Sequence, residues 1–387
     1  MYPKRIKCNQ STTVPKSGGN GYMQVKCNVL DRQFQLYQEE YEQAALRVLR
    51  SGWYVLGNEV RQFEEEFAQF TGRKYCVGLN SGLDALIMSV RALGIGAGDE
   101  VIVQANTYIA TVLGITENGA VPVFVEPDEY FNMDADKIEK AITDRTKAVM
   151  VTHLYGQASD MTRIAAIADR HGLLLIEDCA QSHGACFAGK MTGTFGISGC
   201  FSFYPTKNLG AFGDAGAVVT DDEAFADRLR MMRNYGSKVK YHNEIEGINS
   251  RLDEMQAALL RVKLSHLKEL NDERKMLAKR YDEGITNPAI ILPGVRDGAE
   301  SIYHQYVVRC ASRDLLQKAL EQGGIQTQIH YPIPPHLANC YAHLGHKKGE
   351  FPITEAYADE VLSLPIYTGM TRDEQDYVIE QINAWRV

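Results

Sequence analysis

Several side chains in this 387-residue sequence are of types, and at places, that could do chemistry together. Lys207 lies on a short polar, glycine-rich loop between two apolar runs, Phe201 to Tyr204 and Ala217 to Val219. Lysine is ordinarily exposed. Held between two buried strands it would lose solvation, its pKa would fall, and its amine would become a usable nucleophile. A surface lysine in a turn is the plainer reading of the same letters. Asp178 closes the apolar run Leu173 to Ile176, a place where an unpaired carboxylate is costly. Its plainer reading is the cap of a helix starting at Ala180-Gln181. Glu177 alternates to the other side of the strand and reads as structural. Asn80-Ser81-Gly82 follows a strand and opens a helix. Free N–H groups and the positive dipole end there suit a phosphate, and ordinary capping uses the same residues. Tyr108 begins another helix and could stack on a flat ring or pack in the core. His153, His183 and His330 each sit beside apolar runs and read first as hydrogen-bonded structural histidines.

One ligand draws on all of these groups. Pyridoxal 5'-phosphate (PLP) needs a lysine for its aldehyde, a carboxylate to keep its pyridinium nitrogen protonated, an aromatic ring against its own, and a helix N-terminus for its phosphate. Lys207 would then carry the proton at the reacting carbon. Neither GxxxxGK[ST] nor GxGxxG occurs, so no other phosphate-ligand motif competes.

These residues must be positioned by alternating elements. Residues 33–50 are helical in pattern, and a second helix carries Val60, Phe63, Phe67 and Phe70 at spacings of three and four. Strand-like runs then alternate with helix-like ones: 75–78, 83–93, 101–103, 107–118, 121–125, 134–142, 148–152, 161–171 and 173–176. That alternation predicts a parallel or mixed sheet with helices on both sides, its ligands beyond the strands' carboxyl ends. The polar residues at those ends include Asn80-Ser81, Gln104, Asn106, His153 and Glu177-Asp178. A long helix follows, from Leu252 to about Tyr281. Residues 303–309 alternate like a strand, 313–322 are helical, 325–336 read as a strand entering a proline-rich loop, and 353–387 as two helical patches around LSLPIYTG. The predicted domain boundary falls within the long helix, at roughly 260–285. It separates a large α/β domain (23–265) from a smaller C-terminal one (266–387).

Composition narrows the class. A net charge of −8 disfavours sequence-independent nucleic-acid binding. The eight cysteines form no CxxC or CxxxC pair, so a paired-cysteine metal site is not expected. They read as reduced thiols in a cytoplasm. No apolar run is long enough to span a membrane. Residues 1–22 hold Lys4, Arg5, Lys7 and Lys16, no acidic residue and no apolar signal core. They read as a disordered tail, with Met23 a possible start.

The sequence resembles the DegT/DnrJ/EryC1/StrS sugar aminotransferases. The resemblance rests on FSFYPTKNLGAFGDAGAVVT (201–220), LLLIEDCAQSHGA (173–185), SGWYVLGNEVRQFEEEFAQFTG (51–72), NTYIAT (106–111), NSRLDEMQAALLRVKL (249–264) and HYPIPPH (330–336). It covers roughly residues 24–387. It implies the aspartate-aminotransferase type of fold: an α/β domain with a mixed seven-stranded sheet, a smaller C-terminal α+β domain, and a homodimer with shared active sites. It makes Lys207 the lysine that joins the cofactor's aldehyde and Asp178 the partner of its ring nitrogen. Gln181 would contact the ring hydroxyl and Tyr108 would stack. Gly82, Leu83 and Ser202 would hold the phosphate, and Asn249 would reach the phosphate in the neighbouring subunit. Lys207 argues against the family's dehydratases, which carry histidine there. NSGLDAL (80–86), VQANTYIAT (103–111), HLYGQ (153–157), KYHNEIEGINSRLDE (240–254) and IHYPIPPH (329–336) are similar to the branch that aminates C3 of dTDP-3-keto-6-deoxyhexoses with L-glutamate. Gln104 stands where that branch usually has proline, and Ser81 where it usually has asparagine or a small residue. His330 and Tyr331 would lie near the sugar. The alternatives are an enzyme aminating C4 of a 4-ketosugar and a non-catalytic regulator on the same fold.

Overall fold

The computed structural model describes residues 23–386; the expected tail, 1–22, lies outside the described residues. At the centre is a seven-stranded sheet. In chain order its strands are β1 (Tyr75–Leu79), β2 (Glu100–Gln104), β3 (Val121–Val125), β4 (Thr146–Thr152), β5 (Leu174–Asp178), β6 (Ser198–Ser202) and β7 (Gly216–Thr220). They lie side by side as β1-β7-β6-β5-β4-β2-β3. β7 runs against both its neighbours, and the other pairings are parallel. A strand covered on both faces can be apolar throughout. Val101 to Val103 and Ala148 to Val151 are such runs, fully buried. The expected mixed α/β sheet is therefore present.

Among the described residues, three helices precede β1: α1 (Leu30–Leu36), α2 (Gln38–Ser51) and α3 (Asn58–Thr71). The crossovers are α4 (Gly82–Ala92), α5 (Ile109–Thr116), α6 (Ala135–Ala141) and α7 (Met161–His171), and α8 (Glu223–Met232) follows β7. The spacing of phenylalanines in α3 puts Phe63 and Phe67 edge-on to Phe201 and Phe203 of the β6 region, with centroids 5.0–5.4 Å apart. Each such pair adds about 0.5–1.5 kcal/mol beyond area burial. These rings lock the back of the segment leading to Lys207.

α9 (Glu254–Gly284) is the longest helix. Its C-terminal part belongs to a second core with Tyr281, Tyr306, Leu316, Leu362 and Val378, which Val25 joins from the N-terminal side. Around that core stand β8 (Tyr306–Arg309), α10 (Arg313–Gln322), β9 (Val361–Leu364) and α12 (Arg372–Ala384), with β8 and β9 antiparallel, while α11 (Pro352–Glu360) packs through Tyr357 against Phe131 and Tyr155.

Three expectations need correction. The 33–50 helix is two helices, α1 and α2, broken at Tyr37, whose backbone leaves the helical region. Residues 325–336 form no continuous strand: Ile325 and Gln328 make isolated bridges to Val25 and Ser363, and the prolines prevent a ladder. Two helices flank LSLPIYTG as expected, and its apolar run begins in a strand because β8 offers it an edge to pair with. No helix starts after Asp178, so its side chain caps a turn instead, through Ala180 N–H.

Candidate active site

Lys207 stands on the connection between β6 and β7. Backbone bonds from Phe203 N to Ala215 O, from Ala211 N to Phe203 O and from Lys207 N to Tyr204 O fold this connection tightly. A Cβ at Gly210 would lie 2.3 Å from Pro205 O, so glycine alone closes the loop. Burial lowers the Lys207 amine to about 8, and the nearby Asp178 carboxylate pulls it back upward. The amine therefore gives up its proton more readily than an exposed lysine, though most of it is still protonated at pH 7.

Asp178 is buried at the end of β5. Its Oδ2 accepts from Thr111 Oγ1 at 2.7 Å and its Oδ1 from Ala180 N at 3.1 Å. Burial raises its pKa, opposed by Thr111, the Ala180 N–H and Lys207. The single Thr111 proton is committed to Asp178, so Thr107, 2.7 Å away, donates to Thr111. Thr152, 3.0 Å from Thr107, donates in turn. This row of hydroxyls aims its protons at one carboxylate and favours its charged form.

Opposite lies the N-terminus of α4. Ser81 caps it, taking Asp84 N on its side chain and Ala85 N on its carbonyl. The N–H groups of Gly82 and Leu83 are left for a ligand. A Cβ at Gly82 would stand 2.4 Å from Ser202 Cβ, and one at Gly216 would stand 2.2 Å from Ser81 O. Two glycines thus let β6, β7 and α4 close into a cradle that carries the Ser202 hydroxyl.

These groups share one cleft of about 460 Å³, lined by Gly82, Leu83, Tyr108, Asp178, Gln181, Ser202, Lys207, His330 and Tyr331 among others. Gln181 takes Tyr155 N on its Oε1 at 2.6 Å and donates from Nε2 to the Tyr331 hydroxyl at 3.1 Å. Tyr108 is exposed, and its ring is tilted 33° to that of Tyr331 at 5.0 Å. His330 bonds through Nδ1 to Ser363 Oγ (2.8 Å), and its Nε2 meets Gln305 (2.9 Å). Burial, helped by Lys207, lowers its pKa to about 4, so the ring is neutral at physiological pH. Asn249 stands apart: it is exposed, does not line the cleft, and bridges to Asn234.

The sequence reading missed Thr111, Thr152 and His304. His304 lines the cleft and donates from Nδ1 to Asn208 Oδ1 at 3.1 Å, beside Lys207. The strand-like pattern of 303–309 carries no sign of this, because the partner is 96 residues away. His183 and His153 are structural. His183 donates from Nε2 to Ser202 O, and burial, helped by Lys207, lowers its pKa to about 3. His153, Glu177 and Cys179 converge closely enough to suggest a metal site. The lone pairs of Glu177 and His153 are already engaged, however. Glu177 accepts from the N–H groups of Gly193, Phe195 and Gly196 and from His153, whose Nδ1 accepts from Ser159 N.

The donor set of the cleft fits PLP: an amine and a carboxylate together, two free N–H groups and a hydroxyl in a cradle, and an amide and a tyrosine ring at its sides. Comparison with known proteins agrees. Residues 35–383 match the model of the DegT/DnrJ/EryC1/StrS aminotransferase family. The chain is 52% identical over 350 residues to a dTDP-3-amino-3,6-dideoxy-alpha-D-galactopyranose transaminase of Aneurinibacillus thermoaerophilus, covering 90% of this chain and 96% of that one. It is 45% identical to a UDP-N-acetyl-3-dehydro-alpha-D-glucosamine 3-aminotransferase of Acidithiobacillus ferrooxidans, covering 85% and 89%. Its fold superposes on the crystal structure of DesV from S. venezuelae with a TM-score of 0.92 at 47% identity, covering 94% of this chain and 99% of that one. Other structural neighbours were solved with PLP or PMP.

Proposed function

This chain belongs to the DegT/DnrJ/EryC1/StrS aminotransferase family, and from that premise we propose that it moves the amino group of L-glutamate to C3 of a dTDP-3-keto-6-deoxyhexose. It is a PLP-dependent sugar-nucleotide aminotransferase. The observation that carries the C3 assignment is that both relatives named above act at carbon 3 by their names. The second of them acts on a UDP-sugar, which keeps the nucleotide open as an alternative.

PLP, when bound, supplies a sink for the electrons of the bond broken at the substrate carbon. The roles of the residues follow from their chemistry. Lys207 Nζ, unprotonated above about pH 8, takes the proton from the glutamate α-carbon and returns one at C3 of the sugar. Asp178, which accepts from Thr111 and the Ala180 N–H, would hold the proton on the cofactor's ring nitrogen. The N–H groups of Gly82 and Leu83 and the Ser202 hydroxyl bind phosphate, Gln181 meets the ring hydroxyl, and Tyr108 covers the ring. His330 and Tyr331, neutral and beside Lys207, contact the sugar. Asn249, exposed outside the cleft, serves the phosphate in the partner of a homodimer.

The test is turnover of the PLP-loaded enzyme with glutamate and paired 3-keto and 4-keto dTDP-hexoses, with a UDP-3-ketosugar as a third substrate. The 3-keto dTDP sugar should yield a 3-amino product with kcat/KM at least about 100-fold above the 4-keto sugar. Amination of the 4-keto sugar alone would refute the assignment.

A further inference from the structure

Lys263 lies on α9, 2% exposed, and among the described residues its three hydrogen-bond acceptors are neutral oxygens. Lysine is almost never so buried unless a carboxylate pairs with it. Burial, with Arg274 nearby, lowers its pKa to about 7. An apolar side chain of the same length would fill the space with no such cost, so packing alone does not account for an amine here.

What the amine adds is visible in its partners. Nζ donates to Gln33 Oε1 at 2.8 Å, to Gly210 O at 3.4 Å and to Lys207 O at 3.5 Å. The last two are main-chain carbonyls of the loop that carries the reacting amine, and one is the carbonyl of Lys207 itself. Two more residues of α9 hold the same loop. Gln256 Oε1 accepts from Phe212 N at 2.8 Å, and Asn271 Oδ1 accepts from Asn208 Nδ2 at 2.8 Å. Gln256, Lys263 and Asn271 are each about two turns apart, so they share one side of the helix. Ordinary loops satisfy their carbonyls with water or with their own N–H groups. This one is fastened along a rigid helix at Asn208, Gly210 and Phe212 as well as at Lys207.

We propose that Lys263 is a positioning residue for Lys207: by holding the carbonyls of residues 207 and 210 against α9, it fixes the height at which the Lys207 amine enters the cleft. Lys263 does not line the cleft, so it acts through the loop. The catalytic arm of the test rests on the reading of Lys207 as the reacting amine; the exchange arm does not.

Lys263→Met keeps the length of the side chain and removes its donors. Hydrogen exchange of the full chain without cofactor should quicken by about tenfold or more at the amides of Lys207, Ala211 and Phe212, while the amides of the seven-stranded sheet keep their rates. In the PLP-loaded enzyme, kcat for the glutamate half-reaction should fall by about tenfold, with KM within about twofold. Lys263→Gln retains two N–H donors and should recover part of both effects. Unchanged exchange in the loop, or exchange quickened throughout the chain, overturns the proposal. If Lys263→Met does not fold, Lys263→Gln decides by the same loop amides: wild-type rates there overturn it. A wild type that holds PLP but ignores glutamate would overturn the donor assignment and leave the exchange result standing.

Discussion

Glu177 and Asp178 are neighbours at the carboxyl end of β5, yet they face opposite sides of the sheet and live under opposite rules. On the back, Glu177 is saturated: Gly193 and Phe195 donate at 2.7 Å, Gly196 at 2.8 Å and His153 at 3.0 Å. On the front, Asp178 accepts one hydroxyl and one N–H and lines the cleft. Burial pushes both carboxyls upward. Four donors overcome it at Glu177, which lies below its ordinary value of 4.5; two donors and Lys207 do not at Asp178, which lies above its ordinary 3.8. A structural carboxylate is finished within its own chain, whereas a functional one is left with unmet demand that a ligand's positive group can answer.

The comparison breaks most visibly through Asp178→Asn. Activity should fall by about 100-fold or more, because an amide cannot hold a proton on the ring nitrogen. Thermal stability should stay level or rise, as a poorly compensated buried charge is removed. A variant that keeps its rate, or that unfolds, would mean that the front carboxylate is structural after all. Glu177→Gln should do the reverse, costing about 2–4 kcal/mol in denaturant unfolding with kcat of the folded enzyme nearly unchanged.

Acid titration sharpens the same contrast. Glu177, held below its unfolded value, contributes stability that is complete above about pH 4.5 and is lost as pH falls through the lower folded value. Asp178, held above its unfolded value, contributes favourably below about 3.8, and that contribution is lost as pH rises through its folded value. Glu177→Gln should therefore flatten the acid limb of unfolding, and Asp178→Asn should not. The smallest effect belongs to Thr111→Val, which takes one donor from the front carboxylate. Activity should fall about three- to tenfold, with the acid limb of the rate profile moving to higher pH. An unmoved limb would show that the hydroxyl row does not tune Asp178.

Much of the front of the molecule was legible in the sequence because each signal is local. Lys207 sits between apolar runs, Asp178 ends one, and Gly82 follows a strand and opens a helix; the structure brings all three to one cleft. The second half of the site was not legible from pattern alone. Thr111 matters through a bond to a residue 67 positions later, and His304 through one to a residue 96 positions earlier. The break at Tyr37 was missed because the apolar periodicity of 33–50 runs across it. Val361–Leu364 was missed because a four-residue run becomes a strand only when β8 supplies its edge.

The cleft also has two authors. Its floor, with the cradle, the amine and the carboxylate, is written by residues 81–215, while His304, Gln305, His330 and Tyr331 come from around the second core. The two sides of the cleft are thereby inherited from separate stretches of chain. On the proposed reading, substitutions at His330 and Tyr331 should change which sugar is accepted, whereas His304 is also bonded to Asn208 beside the amine. One floor can then be kept across a lineage whose substrates diverge, and an engineer seeking a new sugar should mutate the roof.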